Sequence, residues 1–265
     1  MSEHLIKRAL CAGGLALLTA LASPLSLARE RTAVEILEAA DAVRNPPGSF
    51  SVKTQLTEYR QGKQSANSTL LVFAKPNRDS GQYRNLIRFQ APARDAGKLM
   101  LRNGMDLWFY DPANRASVRI SPQQRLLGQA SNGDVMTTRL ARDYEVSITG
   151  RETVKDGEGA QRDTVRLRLV AQREDVAYAR VDYWVDAASD RPVMARYYTA
   201  EERLLKTAYF RKYQDAMGAQ RPIETVIIDG LDSSWVTVMQ TTGHTAREIP
   251  DEWLQRDYLP RFAAD

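Results

Sequence analysis

From Phe50 onward, apolar residues fall on every second position, and this alternation limits the chain to few folds. Phe50, Val52, Thr54 and Leu56 alternate with Ser51, Lys53, Gln55 and Thr57. A period of two sends successive side chains to opposite faces of a strand. Leu70, Val72 and Ala74 repeat the pattern, followed by runs at Tyr83 to Phe89, Lys98 to Arg102, Met105 to Tyr110 and Ala116 to Ile120. Asn103-Gly104 is a tight hairpin signal, and Asp111-Pro112-Ala113-Asn114 marks another turn. After an interruption, runs resume at Tyr144 to Ile148, Thr164 to Val170, Ala179 to Val185, Val193 to Tyr198, Leu204 to Tyr213, Ile223 to Ile228 and Ser234 to Gln240. Short runs in close succession predict an antiparallel meander in one large β domain.

Helical signals frame this region. Thr32 and Glu35 have capping-box spacing, and an apolar stripe runs to Val43. Asn45-Pro46-Pro47-Gly48 stops that helix, because proline cannot continue the hydrogen-bond ladder. Pro122 to Asp143 is polar and breaks the strand rhythm, with Asp134 placed to cap a short helix over 135–141. A break this long is either a lid or a surface crossover. Pro250 opens a helical turn near the C-terminus.

The first residues set the expected compartment. Lys7 and Arg8 precede an almost wholly apolar stretch from Ala9 to Leu27, which ends at Ser26-Leu27-Ala28. That order reads as a secretory signal peptide, 1–28, cleaved after Ala28, with a single domain over 29–265. Cys11, the only cysteine, would leave with it, as would His4. The mature chain would hold one histidine, His244, expected in a loop, and no disulfide.

Several chemistries lack their residues. A serine triad would have only His244 as base, and neither a zinc-ligand pattern, a nucleophile elbow nor a phosphate loop occurs. No catalytic residue, metal ligand or cofactor is therefore assigned. The net charge of +4 is dispersed along the chain, which argues against nucleic acid as a partner. Carboxylate-dependent hydrolysis stays open only because sequence cannot show which acids meet in space.

One stretch carries a family likeness. Arg88-Phe89-Gln90-Ala91-Pro92 is followed by Gly97-Lys98-Leu99, then by Asp106-Leu107-Trp108-Phe109-Tyr110-Asp111-Pro112 and Arg119-Ile120-Ser121. Gly128, Ser131-Asn132-Gly133-Asp134 and Asp143-Tyr144 complete the order. It resembles the outer membrane lipoprotein-sorting protein family, the LolA-like periplasmic lipid and lipoprotein carriers. The resemblance implies a mainly β (α+β) fold: a strongly curved antiparallel sheet forming an incomplete β-barrel, with helices closing the concave side over an apolar cavity. It implies a periplasmic carrier that moves acyl chains of a lipid or lipoprotein between inner and outer membrane, with an inner-membrane transporter and an outer-membrane acceptor as partners. A lipid-sensing or scaffolding module that partners an envelope protein or an RND-type transporter is the alternative.

Alternation within the runs suggests cavity residues. Phe89, Leu99, Leu101, Trp108, Tyr110, Val118 and Ile120 are the candidate lipid-binding set, although for any one of them taken alone ordinary core packing is the preferred reading. Arg88 and Arg119 are the candidate rim residues for a lipid headgroup. Burying acyl chains is favourable by about 0.8 kcal/mol per methylene, so a carrier needs a dry pocket of comparable area.

Overall fold

The computed structural model describes residues 29–263. One helix precedes the strands: α1, Ala33–Arg44. Its capping box forms as the Thr32/Glu35 spacing predicts. The Glu35 N–H donates to Thr32 Oγ1 at 3.2 Å, and the Thr32 N–H donates to Glu35 Oε2 at 2.8 Å.

Thirteen strands make one antiparallel sheet. In chain order they begin with β1 (Phe50–Arg60), β2 (Lys63–Pro76), β3 (Tyr83–Ala91), β4 (Leu99–Asn103), β5 (Asp106–Asp111) and β6 (Ala116–Arg119). A small separate hairpin follows, β7 (Arg125–Leu127) and β8 (Ala130–Ser131). A 3-10 turn at Asn132–Val135 and the short helix α2 (Leu140–Asp143) complete this crossing segment. The sheet resumes with β9 (Tyr144–Lys155), β10 (Gln161–Ala171), β11 (Arg180–Asp186) and β12 (Pro192–Tyr198). It ends with β13 (Leu204–Ala216), β14 (Ala219–Asp229) and β15 (Trp235–Ala246). Two 3-10 turns, Asp251–Leu254 and Arg256–Arg261, form the C-terminal segment.

The spatial order runs β6 to β1, then β15 down to β9, so β15 pairs with β1 at the centre. The edge strands β6 and β9 do not pair, and the barrel stays open. The sheet nevertheless bends back on itself. Eight strand spacings separate β4 from β11 in that order, which would be about 38 Å across a flat sheet. Yet Arg102 on β4 donates to the carbonyl of Asp175, in the β10–β11 connection, at 3.1 Å. Only strong curvature lets an arginine span that gap.

Curvature divides the core by face. On the inner face, α1 lays Ile36, Leu37 and Ala40 over Val165, Leu167 and Tyr183 of β10 and β11. The crossing segment covers the other half, with Ala130, Val135 and Met136 over Leu56, Leu70, Ile87 and Met100. On the outer face, the C-terminal segment buries Ile249, Leu254 and Leu259 against Phe73, Leu86 and Leu101.

The strands fall where alternation predicts, but several run longer, and β2 starts at Lys63 rather than Leu70. β1 and β2 extend to a tip at Gln61-Gly62, and β9 and β15 continue to Lys155 and Ala246. Most side chains on the extended parts of β2 and β9 are exposed or half-exposed, so the period-two signal fades there. His244, expected in a loop, lies on β15 and stacks against Phe50 at 6.4 Å. Residues 135–141 are not the helix the sequence suggests. Instead Asp134 closes a box with Ser131 around a 3-10 turn, and α2 starts only at Leu140.

Candidate functional site: the hollow beneath the crossing segment

Two adjoining hollows lie between the inner face and its covering elements, with volumes of about 100 and 120 Å³. They share six lining residues: Arg44, Asp134, Met136, Phe210, Thr225 and Met239. The first is walled by apolar groups from opposite sides. Ala208, Phe210, Ile227 and Met239 come from the sheet, and Met136 and Leu140 come from the crossing segment. Both volumes fall below the roughly 300–1,000 Å³ of a typical small-molecule site. A larger cavity, about 570 Å³, lies between α1, the 139–142 stretch and the β13–β14 turn, lined by Asp41, Tyr83, Arg139, Met217 and Arg221.

Polar pins hold the crossing segment down. The β7–β8 turn presses so closely onto the sheet that a Cβ on Gly128 would stand 2.2 Å from Thr237 Oγ1. Gly128 also has φ +54°, which favours glycine. The next residue, Gln129, donates its N–H to Thr237 Oγ1 at 2.7 Å. Farther along, Thr137 N–H donates to Asn85 Oδ1 at 2.9 Å, and Thr138 O accepts from Arg44 at 2.9 Å and Asn45 at 2.8 Å. Ala141 N–H donates to Asp41 Oδ2 at 3.0 Å, and Arg139 N–H donates to Gln82 Oε1 at 2.8 Å.

The strongest pin is a buried charge pair. Lys206, on β13 and only 3 % exposed, points inward and donates to Gln129 O at 2.9 Å and to Asp134 Oδ2. Asp134 also accepts from Tyr178 Oη at 2.8 Å, Ser131 N at 2.7 Å and Ser131 Oγ at 3.1 Å. Tyr197 packs on Tyr178 with ring centroids 4.4 Å apart, and the Lys206 ammonium lies 4.8 Å from the Tyr178 ring centre. Burial pulls the Lys206 pKa down, against the attraction of Asp134. Burial, reinforced by the Asp134 charge, pushes both Tyr178 and Tyr197 well above the usual phenol range, so both stay neutral.

A second group of charges rims the hollow. Arg102 and Asp143 both line it. Asp143 accepts from Gln82 at 3.0 Å and from Arg173 at 3.0 Å. Burial raises its pKa, and the Gln82 hydrogen bond and Arg173 counter that only in part.

The residues singled out from sequence divide between the faces, and none of the seven cavity candidates lines the hollow. Phe89, Val118 and Ile120 lie on the inner side. Phe89 packs edge-on to Phe109 at 6.1 Å, Ile120 packs against the inner core, and Val118 is half exposed near the β6 edge. Leu99, Leu101, Trp108 and Tyr110 belong to the outer face, beneath the C-terminal segment. Leu99 and Leu101 do face away from Arg102, as alternation predicts. However, Arg102's side carries the hollow, and Leu101 is fully buried on the other side against the C-terminal segment. Arg88 pairs in register with Leu99 and so shares the outer face. Arg119 forms a 2.6 Å ion pair with Asp106 and is mostly exposed at the edge.

Sequence reasoning missed Ala208 and Phe210, which line the hollow, and Lys206 beside them, which pins its cover. One signal was available, because Lys206 shares the period-two face of Ala208 and Phe210 on β13. A lysine on an apolar face marks a buried partner.

Comparisons with known proteins place this architecture. A LolA superfamily protein from Nitrosomonas europaea is 30% identical, with a TM-score of 0.77, and the match covers 86% of this chain and all of that one. The chain belongs to the LolA superfamily. A family model whose description reads "-like: Uncharacterized protein" matches residues 81–261. Two more distant structures share the fold, each with a TM-score of 0.72 and covering 86% of this chain. One, from Vibrio parahaemolyticus and titled as an outer membrane lipoprotein-sorting protein domain, is 17% identical over 98% of its length. The other, a DUF1329 family protein from Desulfovibrio piger, is 21% identical over 97%. No curated protein matches the chain.

Proposed function

We propose that the protein is a periplasmic carrier that reversibly buries acyl chains of a lipid or lipoprotein and moves them between inner and outer membrane. One observation carries the reading. The apolar inner face is covered by a segment attached through polar pins, so the cover can lift without unfolding the sheet. Lifting 121–143 would join the two small hollows to the surface beneath Val135 and Met136. Membership of the LolA superfamily supports this reading, as does the likeness to a domain titled for lipoprotein sorting. Export follows in the same proposal, with residues 1–28, outside the described residues, acting as a signal peptide and Arg29 as the mature N-terminus.

The work asked of the site is noncovalent. An acyl chain entering the hollow leaves water, which favours binding by about 0.8 kcal/mol per methylene. Release needs the cover's polar pins to re-form and compete with that gain. The test is mass spectrometry of an organic extract from protein isolated out of the periplasm, paired with transfer of labelled lipid between vesicles. The reading expects about one lipid per chain and transfer that rises with protein concentration. Absence of both would overturn it.

A further inference from the structure

Another cavity, of about 220 Å³, opens at the end of the sheet where the β7–β8 hairpin faces the β14–β15 turn. Two guanidiniums, Arg125 and Arg203, line it. Neither forms an ion pair with any described residue. Arg125 is held in place by stacking, with its guanidinium carbon 4.4 Å from the Trp235 ring centre. That ring is itself fixed, because Trp235 Nε1 donates to Glu58 Oε1 at 2.8 Å and Arg60 stacks on it at 3.1 Å. Stacking leaves the N–H edge of Arg125 free for an acceptor.

The cavity's acids are already engaged. Asp229 Oδ1 accepts the N–H groups of Leu231 and Asp232, both at 2.9 Å. Behind the wall, Asp134 is matched by Lys206, whose chain also lines this cavity. The local balance is therefore positive, and the free donors point to an anion. The cavity adjoins the apolar hollow, with Tyr178 as the wall they share. Leu231, 87 % exposed, stands at the outer lip.

We propose that this mouth cavity receives the anionic headgroup of the amphiphile whose chain occupies the hollow, with Arg125 and Arg203 as its binding residues. The proposal rests on the carrier reading above and adds the charge class of the cargo. A phosphate or carboxylate would accept from the two guanidiniums while the chain, with the crossing segment lifted, runs past Tyr178 toward Met136 and Phe210. Lys206 lines the cavity too, but Asp134 holds its ammonium, so Arg125 and Arg203 remain the two available cations.

The test compares two lysophospholipids with the same acyl chain, lysophosphatidylglycerol (anionic) and lysophosphatidylcholine (zwitterionic), by displacement of a fluorescent fatty-acid probe from the full-length mature protein. Wild-type protein should prefer the anionic lipid by roughly tenfold, the scale of one charge-assisted contact. The R125E/R203E variant should lose that preference while still binding the zwitterionic lipid. R94E/R115E, which makes the same charge change outside this cavity, should keep it. Equal affinities in wild type, or a preference surviving in R125E/R203E, would overturn the headgroup site and leave the carrier reading intact. Failure of wild type to bind either lipid would instead overturn the carrier reading. Glycerol 3-phosphate is the chain-free arm. If it binds as tightly as lysophosphatidylglycerol, the cavity is a free-anion site and the amphiphile proposal fails.

Discussion

Replacing Lys206 by methionine isolates the buried pair that holds the crossing segment. Methionine keeps most of the aliphatic volume but removes the charge beside Asp134. The carboxylate then keeps Tyr178 and the two Ser131 donors, which face it at 2.7–3.1 Å. Removing one partner of a buried ion pair costs about 3–5 kcal/mol, and the three surviving hydrogen bonds argue for the lower end. A loss of about 3 kcal/mol is roughly a hundredfold in an opening equilibrium. The segment joins the sheet through this pair, so the loss should appear first as local opening. Hydrogen exchange read by mass spectrometry should speed up in peptides over 126–136 far more than in β10 and β11. Asp134→Asn should act in the same way, and the K206M/D134N double variant should lose clearly less than the sum of the two singles, since neither charge is then stranded. Strict additivity, or a K206M protein with unchanged exchange over 126–136, would refute the claim that this pair is the principal latch.

Other perturbations separate the two faces. Gly128→Val should loosen the same segment, by about 1–3 kcal/mol from backbone strain, with steric conflict against Thr237 added, read as a lower urea midpoint. Ala208→Leu places bulk directly into the hollow, so it should reduce lipid occupancy in extracted protein while keeping the fold, at an overpacking cost of about 1–3 kcal/mol. Leu101→Ala, on the outer face, should instead cost about 2–5 kcal/mol of stability and leave lipid occupancy unchanged. Acid sensitivity follows from Glu224 and Asp182. Burial alone would raise both, but hydrogen bonds from Lys212, Gln240 and Arg211 to Glu224, and from Arg166 and Arg180 to Asp182, outweigh it and hold both carboxyls low. A carboxylate with a folded pKa below its unfolded value gives stability that is fully present above the unfolded value, about 4, and is lost as pH falls through the folded one. Glu224→Gln should therefore narrow the difference in urea midpoint between neutral and acid solution, and an unchanged difference would contradict the assignment.

The sequence shows the meander and its framing helix because local rules govern them. The Thr32/Glu35 box and the Pro46-Pro47 stop act within a few residues, and alternation at Val165, Leu167 and Leu169 reports burial on one side. What it hides is which side holds the hollow. Leu99 and Leu101 are as apolar as any cavity lining, and their role depends on the distant Ile249, Leu254 and Leu259 docking over them. On β5, with Leu107 and Phe109 facing in and Trp108 and Tyr110 facing out, both faces are buried and alternation carries no preference. The crossing segment is harder still. It is shaped by side chain to backbone bonds with partners such as Asn85, Asp41 and Lys206, more than fifty residues away in sequence.

The most direct test of the account follows hydrogen exchange over 121–143 as an acyl ligand is titrated onto the purified protein. Seating a chain in the hollow should release the segment, so exchange there should rise with ligand while β10, β11 and α1 stay protected. A saturating ligand that leaves 121–143 as protected as before, or that loosens the whole sheet equally, would contradict a cover that lifts from an intact sheet.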